Sequence, residues 1–355
     1  MSVLGRYVLG RCMAASFLSL AVLLGVVLAL FFTELLADAA GGDFPARMML
    51  SLLGLRIPEA LLLVAPLALM TGVLLAVGRL HQQSELTVMR GSGWSAARLA
   101  RPLLVLVAAW GLVMLLVSGW VSPQGARTTA GMMETAAQEA LVTGLTPGHF
   151  QRLDRGRLHI YIERAGAGGG ELEDIFIHRR LDDGRAEVTT AASGRFWVDG
   201  DTGARYLTLL DGRQVEHGDG AENLRRLNFA RNDLRLPPPA GAEGVDPREQ
   251  QWLHDLSPTT DSEQAAEWHW RLASPIAAIV LGLLALPLSL GPTRRPHHGR
   301  VVAALVLYLV YSYMINLGLL AIEQGRVPAA LGLWPVHLAV AAMAALAWHG
   351  VRRKW

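Results

Sequence analysis

Few side chains in this sequence have the chemistry to react, and several of those stand inside apolar segments. Glu59 lies in the run 57–77, and Glu34 lies near the end of the run 13–36. A carboxylate in hydrocarbon is costly, which makes each a candidate for a lipid pathway. The competing accounts are local: Arg56 stands one turn before Glu59 and can pair with it, and Glu34 is close enough to the end of its run to reach water. Tyr308, Ser312 and Asn316 recur at i,i+4 in the run 301–322. They read either as hydrogen bonds between helices or as the polar edge of a cavity. EWHWR (267–271) sets a histidine between two tryptophans at a helix start. An interfacial aromatic belt accounts for it without catalysis, and Glu267 and Arg271 are spaced to pair. His297-His298, between arginines, reads as a solvated pair rather than a metal site.

The missing chemistry is as informative. A phosphate-cradling P-loop needs a lysine after its glycines, and the only lysine is Lys354. There is no H-E-x-x-H, G-x-S-x-G or C-x-x-C, so no metal or cofactor site is read. The single cysteine, Cys12, excludes an internal disulfide.

The elements that must position these residues are membrane spans. The chain is 52% hydrophobic and 17% charged, below the roughly 25% charge of a soluble domain. Its apolar residues are bunched at 13–36, 57–77, 103–121, 272–291, 301–322 and 331–351. About 20 such residues cross a hydrocarbon core, so six spans are expected. The first is too long for the apolar region of a signal peptide, although ADAA at its end resembles a cleavage site. Six spans put both termini on one side. Twelve arginine or lysine residues fall on that side, against Arg47, Arg326 and at most Arg56 opposite. This excess makes the side of the termini cytoplasmic. The net charge of +2 averages over an asymmetric molecule and indicates no nucleic-acid partner.

Three regions follow: 1–121 with three spans, 122–262 outside the cytoplasm, and 263–355 with three more. The middle region opens with helical spacing at Met132, Met133, Ala136, Ala137, Ala140 and Leu141. Its period then changes to two, beginning with LHIYIE (158–163), where Leu158, Ile160 and Ile162 share one face. DIFIH, RFWV, YLTLL and LNFARNDLRL follow, with turn signals at Asp183-Gly184, Asp199-Gly200, Asp211-Gly212 and Gly218-Asp219-Gly220. Short strands without intervening helices predict an antiparallel sandwich or roll. The proline-rich stretch 237–247 reads as a linker, and TDSE (260–263) as the capping box that starts the fourth span. Arg225, Arg226, Arg231 and Arg235 gather near the last strands, as a solvated face or a phosphate contact.

One polar stretch sits between two spans on the cytoplasmic side: QQSELTVMRGSGWS (82–95). Ser84 can cap a short helix, Leu86 and Met89 share a face, Glu85 is adjacent, and Gly91 and Gly93 end it. A bare loop helix has this form too. A membrane protein that needs energy and has no nucleotide site must receive it from another chain, and a small helix with an acid and an apolar knob suits that purpose.

With these residues the sequence resembles the permease subunits of the lipopolysaccharide export ABC transporter, the LptF/LptG family, over essentially its whole length. The matching pieces are GDFPARMMLSLLGLRIPEALLLVAPLALM, SELTVMRGSGWS, VSPQG, LTPGHF, EWHWRLASPIAAIVLGLLALPLS and EQGRVPAALGLWPVHL. S-E-L-x-V-M is the most specific, and LTPGHF and GLWPVHL favour the F-type over the G-type half. The resemblance implies an α-helical membrane protein with six transmembrane helices (3+3) flanking a periplasmic β-jellyroll. It implies a permease that extracts lipopolysaccharide from the inner membrane and itself hydrolyses nothing. The implied partners are a G-type half, a cytoplasmic LptB-like ATPase dimer and a single-span LptC-like jellyroll protein that receives the lipid. The helix at about 82–93 becomes a coupling helix docking Glu85, Leu86 and Met89 on the ATPase. Glu34, Arg47, Glu59, Tyr308, Ser312 and Asn316 become cavity or gate candidates, and Ile160 and Ile162 line a groove for acyl chains. Some F-type members carry basic residues at the outer end of the first helix, where this chain has ALFFTELLADAA. Phosphate recognition then falls to Arg47 or the G-type half. The rival reading is an intramembrane lipid-modifying enzyme using His269, Glu59 or Glu267, and a third is a receptor with a sensory β-domain.

Overall fold

The computed structural model describes residues 2–41, 44–143, 148, 150–153, 157–165, 171–181, 185–199, 205–217, 224–236, 245–258, 261–290 and 297–352. The turn signals at Asp183-Gly184 and Gly218-Asp219-Gly220, and most of the proline-rich linker, lie outside them. In chain order come α1 (Val3–Gly41), a 3-10 turn (Ala46–Met48), α2 (Met49–Leu55), α3 (Ile57–Gln82), α4 (Glu85–Gly91) and α5 (Ala96–Leu116). A π-turn (Val117–Val121) leads into α6 (Ser122–Thr143). After six strands come α7 (Ser262–Ser289), α8 (His297–Glu323) and α9 (Trp334–Arg352). Among the described residues six helices are long and apolar enough to cross a membrane, and the β-domain is inserted between the third and the fourth.

The chain divides into two compact units. One comprises Met1–Phe31, Leu53–Arg127 and Asp246–Trp355; the other comprises Phe32–Leu52 and Thr128–Val245. The segment 246–258, expected to belong with the β-domain, therefore groups with the helices. In the helical unit α3 and α7 are central: 78% and 67% of their apolar windows are buried, against 6% for α1 and 22% for α8. Small residues bring the backbones together, as is usual for helices in lipid. A Cβ on Gly72 would fall 2.3 Å from Ser16 Cα, and one on Gly282 would fall 2.7 Å from Val107 Cγ2. The start of α7 comes one residue later than the capping box predicts, with Asp261 as the cap accepting from the Glu263 amide.

The β-unit holds one antiparallel sheet in the order β1-β2-β3-β4-β5-β6, an up-and-down meander. Its strands are Phe150–Leu153, Leu158–Ala165, Leu172–Arg180, Ala186–Val198, Arg205–His217 and Leu224–Arg235. Sequential order differs from the Greek-key order of a jellyroll. Leu158, Ile160, Ile162, Leu172, Ile175, Ile177, Leu207 and Leu209 form its buried face.

Asp211-Gly212, read as a turn, lies inside β5. The ladders on both sides of it skip one rung: Asp211 faces neither Ala192 nor Ala230, although the flanking pairs keep register. The same rung is missing between Glu163 and Asp174 and between Asp174 and Ala192. These gaps form one line across β2 to β6. On β3 two exposed residues, Glu173 and Asp174, separate buried Leu172 from buried Ile175, so the inward parity shifts there. Asp174 and Asp211 have φ of 53° and 50°, a left-handed conformation that aspartate tolerates better than most residues. Gly212 is needed next to the line, because a Cβ there would fall 2.2 Å from the Phe229 ring.

Candidate functional site

α4 is held by its own apolar side. Leu86 and Met89 are 1% and 6% exposed and belong to the helical core. This corrects their expected role as contacts offered to an ATPase: buried within the chain, they fix the helix and cannot also be its knob. The outward apolar residue is Val88, 71% exposed, flanked by exposed Thr87 and Arg90. Ser84 is not a side-chain cap; it is left-handed at φ 60° and makes no capping hydrogen bond. Gly93 (φ 83°) turns the chain back, and Ser95 caps α5 by accepting from the Arg98 amide. Glu85 is half-buried. Its Oε1 accepts from the Tyr7 hydroxyl at 3.2 Å, and Arg11 donates to that hydroxyl at 3.0 and 3.2 Å. One hydrogen bond leaves most of the carboxylate's acceptor capacity unused.

At the opposite end of the helical unit, EWHWR is a clamp. Arg271, 4% exposed, donates to Glu267 Oε1 (2.7 Å) and to the carbonyls of Arg248 (3.0 Å), Glu249 (3.1 Å) and Gln251. Its own carbonyl accepts from Ser118 in the π-turn at 2.7 Å. Arg127 adds a bond to the Gln250 carbonyl (2.6 Å) and stacks on Trp252. Arg248 in turn pairs with Glu263. Burial, then the charges of Glu267, Asp246 and Glu59, push the Glu249 carboxyl above its ordinary range, and Arg271 opposes them. His269 is 3% exposed, its Nε2 lies 3.0 Å from the Ala329 carbonyl, and a Cβ on Gly332 would strike its ring. His269 and Glu267 are thus committed to structural contacts.

The cavity candidates are spread out. Tyr308 donates to the Leu63 carbonyl of α3, one turn beyond Glu59, which is exposed at the start of that helix. Asn316 donates back to the Ser312 carbonyl at 2.9 Å, so this pair serves α8 itself. Glu34 and Arg47 are exposed and belong to the other compact unit. None of the six lines a cavity of about 590 Å³ in the helical unit, between α1, α3 and α8. In the β-unit Ile160 and Ile162 are 1% and 2% exposed, on the enclosed side of the sheet. Among the basic residues of β6, Arg231 is paired with Asp233 at 3.1 Å.

Residues 6–349 match the lipopolysaccharide export system permease LptF/LptG family. The chain belongs to the LptF/LptG family. It is 29% identical over 332 residues to the lipopolysaccharide export system permease protein LptF of Escherichia coli K12, covering 91% of this chain and 89% of that one. To LptG of the same organism it is 24% identical over 320 residues, 87% of each. A half-length match of 24% relates it to LptG of Haemophilus influenzae. As an LptF/LptG chain it stands nearer the LptF member of that pair, as LTPGHF and GLWPVHL suggested, and these relatives are permease subunits.

Within this LptF/LptG chain, sequence reading missed Tyr7 and Arg11 as organising residues, and saw Arg271 only as the partner of Glu267. Tyr7 and Arg11 are spaced i,i+4, a signal open to inspection. The pairing of Arg271 with Glu267 was read from their spacing and is present; its other three contacts were not read, because their acceptors are backbone carbonyls of an irregular segment.

Proposed function

We propose that the chain is the non-catalytic permease half of a lipopolysaccharide exporter, crossing the inner membrane six times with both termini cytoplasmic and the β-domain periplasmic. A G-type half completes the lipid cavity, and a cytoplasmic ATPase dimer supplies the energy. A single-span periplasmic jellyroll protein receives the lipid. The observation that carries this reading is α4, pinned from behind by Leu86 and Met89, with Val88 and Glu85 facing out on the arginine-rich side. A helix fixed in this way transmits a push from a docked partner to α3 and α5 without yielding. Glu85 offers the acid and Val88 the apolar contact; the Ile160–Ile162 face of the β-domain accepts acyl chains. Glu59 and Tyr308 mark the outer end of α3 as a gate element, and Glu34 and Arg47 lie outside the helical unit as contacts for the lipid head.

Loss of one partner of a closed charged contact costs about 2–5 kcal/mol, roughly 30-fold to several-thousand-fold in affinity. Glu85→Ala should therefore leave insertion and pairing with the G-type half intact while ATPase retention and lipid-coupled hydrolysis collapse. Copurification of the ATPase with the membrane complex measures the first, and phosphate release on adding lipopolysaccharide measures the second. Wild-type retention in both Glu85→Ala and Glu85→Arg would sink the docking role.

A further inference from the structure

The cavity of about 590 Å³ in the helical unit has a polar end and an apolar body. Arg11 of α1, Arg79 of α3 and Gln83, the residue that follows α3, stand at one end; Leu18, Val22, Leu75 and Leu305 are among the walls beyond. The hydroxyl of Thr71, also in the wall, is turned back to the Leu67 carbonyl at 2.8 Å, so it adds no free donor. From Arg11 to Leu23 the α1 wall runs twelve residues, which at a helical rise of 1.5 Å is about 18 Å. That is close to half of a hydrocarbon core of about 30 Å. The cavity thus has the depth of one leaflet.

Among the described residues the lining holds no carboxylate. Arg11 is exposed and donates to the neutral Tyr7 hydroxyl, while the nearby Glu85 takes its bond from Tyr7 as well. Arg79 is exposed, and its guanidinium makes no hydrogen bond or ion pair among the described residues. Arg79, and beside it Arg11 held on the neutral Tyr7 hydroxyl, set two guanidinium groups over an apolar slot, which matches a phosphodiester with an acyl chain below it. A headgroup that also carries an ammonium would set like charge against the arginines, which selects a net-anionic head.

We propose that this cavity binds one anionic phospholipid of the cytoplasmic leaflet, a phosphatidylglycerol-type lipid, with Arg11 and Arg79 on its phosphate and one acyl chain between α1, α3 and α8. The leaflet follows from the cytoplasmic placement of the termini proposed above, and the site is separate from the export cargo. It lies one phenol away from Glu85, so the lipid and the docking helix share Tyr7 as a neighbour.

The test uses the full-length chain with its permease partner in nanodiscs that contain a diazirine-acyl phosphatidylglycerol probe, with the phosphatidylethanolamine analogue as the second arm. Photo-adducts should map to peptides containing Leu18 or Leu75, at one lipid per chain, and the phosphatidylethanolamine probe should label them far less. Each arginine near an anionic lipid is worth about fivefold, so the double variant Arg11→Gln/Arg79→Gln should lower labelling roughly 25-fold. Leu75→Trp, which fills the slot and keeps both arginines, should abolish labelling at Leu18 and guards against a double variant that fails to fold. Equal labelling by the two probes, undiminished labelling in the double variant and in Leu75→Trp, or displacement of the probe by lipopolysaccharide would each overturn the proposal. Failure of the docking test at Glu85 would leave this one standing, since no step of it uses the ATPase.

Discussion

At the end of the helical unit that carries α4, one carboxylate takes one hydrogen bond from a phenol, and exposed Thr87, Val88 and Arg90 face away from the chain. At the other end one buried arginine serves four acceptors and draws the segment 246–258 onto α7. The first end leaves polar capacity unspent; the second spends nearly all of it. A surface meant to engage and release another chain must hold its helix by apolar packing and keep its charges outside. A surface meant to keep a returning segment in place does the reverse.

The contrast breaks most readily at Arg271. Arg271→Ala should destabilise the full-length chain by about 3–5 kcal/mol, because Glu267 and three carbonyls lose their donor in a buried setting. Thermal unfolding in detergent checks this, with exposed Arg164→Ala as the surface control; equal loss in the two variants would erase the distinction between the ends.

A smaller effect comes from Glu249 at the clamped end. Its folded carboxyl binds its proton more tightly than the ordinary value of 4.5 allows, first through burial and then through neighbouring acids. Protonation therefore favours the folded state. The contribution is complete below 4.5 and is lost as pH rises through the elevated folded value. The melting temperature of the chain should fall across that window, and Glu249→Gln should flatten the fall. An unchanged slope in Glu249→Gln would assign it to other groups.

The smallest effect is expected at the open end. Tyr7→Phe removes one neutral, exposed hydrogen-bond partner from Glu85 and should shift stability by no more than about 0.5 kcal/mol. A loss as large as that of Arg271→Ala would mean that the open end is clamped too.

The spans and the inserted β-domain were legible because apolar runs of membrane length and period-two alternation are properties of single segments. The position of α4 was legible for the same reason. Its orientation was not: Leu86 and Met89 form the apolar stripe of a seven-residue helix, and such a stripe fits a partner chain as well as the chain's own core. Asp211-Gly212 has the composition of a hairpin turn, yet the strand continues through it because Asp174, Ala192 and Ala230 lie at the same level on the neighbouring strands. That alignment depends on four strand pairings at once, and no local pattern encodes it. Tyr308 was legible as a hydrogen-bonding residue, but its acceptor at Leu63 is a main-chain atom that side-chain patterns do not mark.

The aligned gaps give the β-domain a mechanical direction. A sheet resists folding across its strands because its rungs must stay in line; one rung is absent at a common level from the four ladders that join β2 to β6, and the resistance is lowest along that line. On either side of it the remaining rungs keep one register, so the sheet consists of two regular panels. The apolar face formed by Ile160, Ile175, Ile177 and Leu207 thus lies on a sheet whose crease is set by that line rather than by any single turn.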